Sequence, residues 1–319
     1  MTTPVRYRVS HVTHYRYNAP VSQCLSEARL TPRTLPWQTV ESAVITTVPA
    51  PASITTRRDY FGNIVSAFSI VESHERYSTQ ATSLVEVRPR PALSPGVPWE
   101  AAREALTAHV SSDTLAALEY TCESPFVPIA DELAAYARTS FTPGRVLTEA
   151  ARDLSHRVFT EFAYKPSSTA IDTPLLDTLR LRRGVCQDFS HVMIGALRGL
   201  GLAARYVSGY LRSGADYQGA EASHAWVSVY CPGDGWVDFD PTNDVLPDTG
   251  HVTVAWGRDY GDVAPVKGIA LGGGKQVVDV AVRVDPEPSN QPGQSRQPNQ
   301  SSQSGQSGQT NPAGRQGPL

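Results

Sequence analysis

Nine residues, Arg183-Gly184-Val185-Cys186-Gln187-Asp188-Phe189-Ser190-His191, constrain the rest of the chain most strongly. A glycine precedes a cysteine by two positions, and the cysteine opens a segment of helical period. From Phe189 the apolar residues recur at Met193, Leu197 and Leu200, which places them on one buried face. Cys186 therefore falls in the first helical turn, where unpaired backbone N–H groups and the positive end of the helix dipole favour an anion. A thiol so placed tends toward thiolate and is prepared as a nucleophile. The plain alternative is a buried structural cysteine, since free cysteine is among the most buried residue types.

Two strands follow. Ala222-Ser223-His224-Ala225-Trp226-Val227-Ser228-Val229-Tyr230 reads as the first, Pro232-Gly233-Asp234-Gly235 as a turn, and Trp236-Val237-Asp238-Phe239-Asp240-Pro241-Thr242 as the second. A period of two puts His224, Trp226, Ser228 and Tyr230 on one face, and Trp236, Asp238 and Asp240 on one face of the partner. If the register sets Tyr230 opposite Trp236, His224 and Asp240 project from the same side as direct or diagonal neighbours. A slip of one residue separates them. Asp238 shares the face of Asp240, so on spacing alone either carboxylate reaches His224.

GVCQDFSHVMIGALRGLGLAARYVSGYL, followed by SHAWVSVYCPGDGWVDFDPTND, resembles the core of the transglutaminase-like superfamily, papain-related enzymes with a Cys–His–Asp triad in that chain order. YRVSHVTHYRYNAPVSQCLSEARLTPR resembles the β-rich N-terminal region of a bacterial branch, and GRDYGDVAPVKG fits the same branch. The likeness spans roughly residues 5 to 284. It implies Cys186 as nucleophile, His224 as base and Asp240, in its Asp-Pro-Thr context, as the residue orienting the histidine. It also implies an α+β fold: a β-sandwich-like N-terminal domain, then a papain/transglutaminase-like core whose helix carries the cysteine and whose antiparallel sheet carries the histidine and aspartate.

The remaining sequence sets the boundaries. We read residues 1–90 as the β-rich N-terminal domain and 91–165 as a helical segment leading into the core. Residues 166–285 form the catalytic core with a C-terminal strand, and 286–319 a disordered Gln/Ser/Gly/Pro-rich tail whose composition buries too little to offset ordering entropy. Tyr7 to Tyr17 alternates as a half-buried strand, Ala43 to Val48 is a second apolar run, and Asp59 to Asn63 is turn chemistry ahead of Ile64 to Val71. His11 and His14 point to opposite faces and are read as structural. Pro89, Pro91, Pro95 and Pro98 mark a linker. Helices are predicted over Glu100 to His109 and Ile129 to Ala137. A longer one is predicted from a Thr142 cap and Pro143 through Leu147, Ala151, Leu154, Val158 and Phe162, and a short one over Ile171 to Arg183. The arginines at 180, 182, 183 and 198 are read as solvated faces or salt-bridge partners. Ala203 to Leu211 alternates as a strand, and residues 213–221 form a loop leading to His224. His251 to Leu271 reads as loop, with an Arg258, Asp259, Tyr260 and Asp262 cluster of open role. Val278 to Val284 is a final strand that rejoins the N-terminal sheet.

A net charge of −3 without a basic block gives no reason to expect nucleic acid or an anionic membrane as partner. No apolar run approaches the ~20 residues of a transmembrane helix. Arg6, Arg8, His11, His14 and Arg16 interrupt any signal-peptide core. The four cysteines (Cys24, Cys122, Cys186, Cys231) show no repeated spacing, so a reducing cytoplasm is the expected setting. No cofactor is expected. A metal site from Cys186, His224, Cys231 and a carboxylate lacks the close ligand spacing that zinc sites show.

The chemistry expected is attack of a Cys186 thiolate on a peptide or carboxamide carbonyl, with His224 moving the proton and Asp240 fixing the ring. The Cys186 backbone N–H and one unnamed side-chain donor would meet the oxyanion. Tyr164 is read as an ordinary core aromatic, with substrate positioning as its other role. Water then gives hydrolysis, the first reading, and an amine gives transglutaminase-type cross-linking, the alternative. A non-catalytic interaction module on the same fold is the reading from another class. The expected partner is a protein or peptide substrate, and the resemblance adds peptide-ligase-type proteins of the ATP-grasp kind.

Overall fold

The computed structural model describes residues 3–108, 111–166, 168–169, 173–214 and 217–287. From residue 288 the expected tail lies outside the described residues. The N-terminal sheet grows around one strand. Strand β1 (Val5–Ala28) is much longer than the Tyr7 to Tyr17 run read from alternation, and its odd-numbered residues from Tyr7 to Thr13 are buried. It is followed by β2 (Gln38–Val48), β3 (Ser53–Arg58), β4 (Ile64–Ile70) and β5 (His74–Val87), in the order β2-β5-β1-β4-β3. The first part of β1, as far as Val21, pairs with β5, and its last part, from Cys24, with β4. Val21, Cys24, Ala28, Phe68, Ile70, Tyr77 and Ala81 close a small apolar core between those parts. The strands of this region thus belong to one sheet organised along β1.

Helices α1 (Trp99–Thr107), α2 (Ser112–Leu118), α3 (Asp131–Arg138) and α4 (Leu147–Glu161) follow. Helix α2 was not read from the sequence, although Ser111 caps it by accepting from the Thr114 N–H at 3.2 Å. Helix α4 begins four residues later than a Thr142 cap predicts, at Leu147. Gly144 adopts φ +75°, a left-handed backbone that ends the Thr142–Arg145 turn before any helix can propagate. Strand β6 (Ala163–Tyr164) pairs in parallel with β7 (Arg183–Gly184), the two flanking α5 (Leu175–Leu181).

Helix α6 (Cys186–Arg198) is buried along its length apart from Gln187, not on one face only. Its charged residues survive burial because they find partners, whereas the Ser190 hydroxyl is buried without one. Arg198, read from sequence as a surface group, is 2% exposed. Its guanidinium donates to the carbonyls of Tyr120, Ala204 and Arg258 and to Ser124 Oγ. The other arginines behave as read: Arg180 pairs with Asp177, and Arg182 with Glu161.

Strands β8 (Ala204–Leu211), β9 (His224–Cys231), β10 (Gly235–Phe239) and β11 (His251–Gly257) make a second, antiparallel sheet in the order β10-β9-β8-β11. Every residue of β8 and β9 is buried. Helix α6 packs against these strands, and their apolar cluster is continuous with Tyr7, Val9, Val85, Val87, Val282 and Val284 of the N-terminal sheet. The His251 to Leu271 stretch is not loop. It contains β11, α7 (Tyr260–Val263) and β12 (Val266–Gly272). The overlooked signal was the β-branched run Val252-Thr253-Val254, read as irregular because both faces are buried and the polar-out alternation is lost.

The outer edge of β11 is closed by side-chain amides from the N-terminal sheet. Gln38 accepts from the Thr253 N–H at 2.8 Å and donates to its carbonyl at 2.7 Å. Asn63 does the same for Trp256, at 3.0 and 2.9 Å. These amides satisfy a row of groups that would otherwise template another strand. Strands β12 and β13 (Gln276–Pro286) both pair antiparallel with β1, so the final strand does rejoin the first sheet. Among the described residues no helix is long and apolar enough to cross a membrane.

Candidate active site

The hairpin register decides the geometry. Trp236 pairs with Tyr230 and Asp238 with Ser228, the even-sum register, so His224 and Asp240 lie on one side as diagonal neighbours. His224 Nε2 stands 2.9 Å from Asp240 Oδ2, and both side chains are fully buried. A carboxylate only accepts, so the proton sits on Nε2 and leaves Nδ1 as the free ring nitrogen. Nδ1 has no hydrogen-bond partner at bonding distance, and Cys186, at the tip of α6, acts on the ring electrostatically.

Asp240 is saturated with donors. Its Oδ2 also accepts from Asn243 Nδ2 at 2.8 Å and faces His251 Nε2 at 3.2 Å, while Oδ1 accepts from the N–H groups of Thr242 and Asn243. Burial alone would raise its pKa, but His224 and the surrounding donors hold it well below the usual carboxylate range. Burial likewise works to lower the pKa of His224. The Asp240 carboxylate, then Cys186, outweigh it and raise the value to about 10. The imidazolium therefore stabilises the fold fully below its ordinary 6.5, and that contribution is lost as pH rises through about 10. The carboxylate's contribution runs the other way and is lost as pH falls through its depressed value.

Asp238, the rival carboxylate, is engaged elsewhere: Arg90 Nη1 lies at 2.7 Å and Trp226 Nε1 at 3.0 Å. It anchors the linker segment to the sheet and does not touch His224.

At the helix tip, Asp188 Oδ2 accepts from the Val185 N–H at 2.8 Å and from Thr169 Oγ1 at 2.7 Å. A Cβ on Gly184 would stand 2.5 Å from that same oxygen, so only glycine lets Asp188 fold back and fix the entry to the helix. Cys186 is itself nearly buried. Two tyrosines, Tyr164 on β6 and Tyr206 on β8, sit near its sulfur. Burial first, and then charge on Cys186, push Tyr164 up to about 12 and raise Tyr206 well above the ordinary tyrosine value. Both hydroxyls stay protonated and able to donate.

His191 belongs to a neighbouring structure. Its Nε2 accepts from the Tyr260 N–H at 3.2 Å, and its ring stacks on Phe126. Asp259 caps α7 at Gly261 N–H and accepts from Phe126 N–H, while Arg258 pairs with Asp262. The Arg258 to Asp262 cluster thus fastens the segment after β11 to α6. His11 is buried between Thr13 and Tyr210, and His14 is exposed, as their opposite faces require.

Gly219 covers His224. With φ +85°, an added Cβ would meet His224 Nδ1 at 3.1 Å and Tyr164 Oη at 3.3 Å. Asn243 clasps that loop through the N–H and carbonyl of Gln218. Gly219→Ala is expected to slow alkylation of Cys186 by about tenfold through displacement of the ring. Gly214→Ala has the same left-handed backbone (φ +72°) but nothing within 4 Å, and is expected to stay within about twofold of wild type. Equal effects from the two variants would assign the loss to backbone strain.

Comparison with known proteins adds the family. Residues 7–86 match the bacterial transglutaminase-like N-terminal region, and residues 133–241 match the transglutaminase-like superfamily. An uncharacterized protein of Mycobacterium tuberculosis (strain H37Rv) is 41% identical over 299 residues, covering 88% of this chain and 93% of its own length. The chain belongs to the transglutaminase-like superfamily. Another relative, an uncharacterized protein of Mycobacterium leprae, is 34% identical over 88% of this chain and 98% of its own length. A Pseudomonas aeruginosa relative named protein-glutamine gamma-glutamyltransferase is 32% identical over 129 residues, 38% of this chain and 18% of that protein. The fold is shared with the solved structure of a candidate cysteine protease from Cytophaga hutchinsonii. That structure superposes with a TM-score of 0.73 at 20% identity, covering 91% of this chain and 93% of that one. Of the three residues named from the resemblance, His224 and Asp240 meet directly, and Cys186 bears on the His224 ring through its charge. Asn243 and His251 around the carboxylate were missed by sequence reasoning. Asn243 stands in the DPTND motif three residues after Asp240, and His251 opens the strand mistaken for loop.

Proposed function

We propose that this chain is a thiol-dependent hydrolase of peptide or carboxamide bonds, acting through an acyl-thioester on Cys186, His224 and Asp240. The observation that carries the reading is the commitment of His224 Nε2 to Asp240, which leaves Nδ1 as the nitrogen that serves the sulfur at the tip of α6. The thiolate attacks the carbonyl carbon, and the Cys186 N–H and a tyrosine hydroxyl receive the oxyanion. The C–N bond breaks, and the leaving amine takes the proton held on Nδ1. Water then attacks the thioester, Nδ1 takes its proton, and the sulfur leaves as the acid forms. All four cysteines are free, in keeping with a reducing cytoplasm.

The Pseudomonas relative's name supports a second reading, in which an amine in place of water takes the acyl group. Glutamine peptides incubated with and without a primary amine separate the two, since incorporation faster than ammonia release favours transfer. The thiol–imidazole pairing is tested without a known substrate by iodoacetate, whose carboxylate is drawn to an imidazolium. Carboxymethylation of Cys186 at pH 6 is expected to outrun that of the surface thiol Cys122. Its rate should fall as the pH passes about 10, where His224 loses its proton. A Cys186 slower than Cys122 throughout would end the proposal.

A further inference from the structure

His251 has no part in the chemistry just given, yet it stands on the carboxylate that serves His224. Its Nε2 is 3.2 Å from Asp240 Oδ2, the same oxygen that His224 Nε2 reaches at 2.9 Å. The ring is 2% exposed, with its edge on Trp226 (centroids 5.3 Å apart, planes at 88°) and Tyr217 beside it at 5.5 Å. Its Nδ1 is buried without a partner. We propose that His251 is a positioning residue that restrains the proton affinity of His224 by sharing its carboxylate.

The argument rests on the thiol–imidazole reading above and proceeds from hydrogen-bond chemistry. An acceptor-only oxygen facing two imidazoles needs an Nε2–H from each. A second positive charge on His251 would need an acceptor at Nδ1, and none is there. His251 therefore stays a neutral donor, and burial lowers its own pKa, against the pull of Asp240. Its N–H dipole satisfies part of the carboxylate and weakens the hold on the imidazolium of His224. Five donors on one carboxylate make Asp240 a poor base, so the proton of the pair stays on the histidine.

The groups facing this cluster are few. They are Cys186 from α6, His224 and Trp226 from β9, Tyr164 from β6, Tyr217 from the preceding loop, and Asn243 from the turn after Asp240. Arg90 from the linker also bears on His251, and its guanidinium is ion-paired with Asp238. Removing the His251 donor leaves Asp240 more fully to His224.

The test is the iodoacetate profile of Cys186 in the full chain, read by mass spectrometry of its peptide. His251→Phe keeps the ring against Trp226 but removes the donor. Its alkaline limb is expected to move up by about half a pH unit. His251→Gln places an amide N–H near the Nε2 position and is expected to restore the wild-type limb to within about 0.1 unit. A His251→Phe limb at or below that of wild type overturns the inference, as does an equal shift in both variants. If the phenylalanine variant does not fold, wild-type protein with 15N-labelled histidine decides. His251 is expected to be the neutral Nε2–H tautomer at neutral pH, and an imidazolium there overturns the inference. A wild-type profile lacking an alkaline limb is a separate result: it removes the thiol–imidazole pair itself, and this inference with it.

Discussion

Asp240→Asn is expected to abolish the reactivity of Cys186 while leaving most of the fold in place. The substitution is isosteric, but the new amide has one acceptor oxygen and one donor nitrogen where the carboxylate had only acceptors. Five donors converge on this side chain: the rings of His224 and His251, the Asn243 amide, and the N–H groups of Thr242 and Asn243. If the amide oxygen keeps the two backbone N–H groups, its NH2 faces the Nε2–H of both histidines. His224 relieves the clash by moving its proton to Nδ1, the tautomer that cannot take a proton from sulfur. Turnover is expected to fall by roughly 10³–10⁴-fold, the scale of loss when a triad carboxylate becomes an amide. Carboxymethylation of Cys186 at pH 6 is expected to fall by roughly 10²-fold, to the rate of an unassisted thiol. Asp238→Asn is the control. It weakens the Arg90 and Trp226 contacts and lowers the unfolding midpoint, but leaves the Cys186 rate near wild type. Comparable rate losses at both positions would show that the histidine is not oriented by Asp240.

The second large effect is on stability. Arg198→Leu removes a guanidinium that ties the C-terminal end of α6 to three separate segments through Tyr120, Ala204 and Arg258. Burial lowers its pKa to about 10, so it is still charged at neutral pH, and each lost bond is charge-assisted. The leucine fills part of the volume and relieves the desolvation of the charge, yet it leaves three carbonyls without donors. The net loss is expected to be about 3–5 kcal/mol, seen as a fall of roughly 10 °C in the unfolding midpoint. Lysine cannot span the same carbonyls from a single ammonium and is expected to recover less than half of the loss. Arg180→Ala, at an exposed pair with Asp177, sets the baseline and should change stability by no more than about 0.5 kcal/mol. A loss at Arg198 no larger than at Arg180 would mean that the buried bonds contribute nothing.

These two sites show what the sequence reveals and what it hides. His224 and Asp240 were legible because they lie on one hairpin. A two-residue period and one register determine which side chains share a face, and the Tyr230–Trp236 pairing is the register that brings them together. Cys186 was legible because a glycine and a helical repeat locate a helix start. His251 was hidden because its proximity to Asp240 depends on β11 lying beside β8, a pairing that no local pattern encodes. Its strand was further masked by burial on both faces. Arg198 was misread for a related reason. Arginine is usually at the surface, and the carbonyls that justify its burial come from residues as distant as Tyr120 and Arg258. The Asp238/Asp240 ambiguity needed the structure too, because it is removed by Arg90, far away in the linker.

The return of β12 and β13 to β1 has a consequence for how the molecule is made. Tyr7 is translated well before its partner across the ladder, Pro286, at the far end of the described chain. Val284, which helps close the cluster shared with the cysteine helix, arrives equally late. Contacts of such sequence separation cannot form until the intervening core has been synthesised. This sheet is thus begun before the core and completed only after it, and nascent chains halted short of the final strands carry an unfinished edge on a domain most of whose strands were made long before.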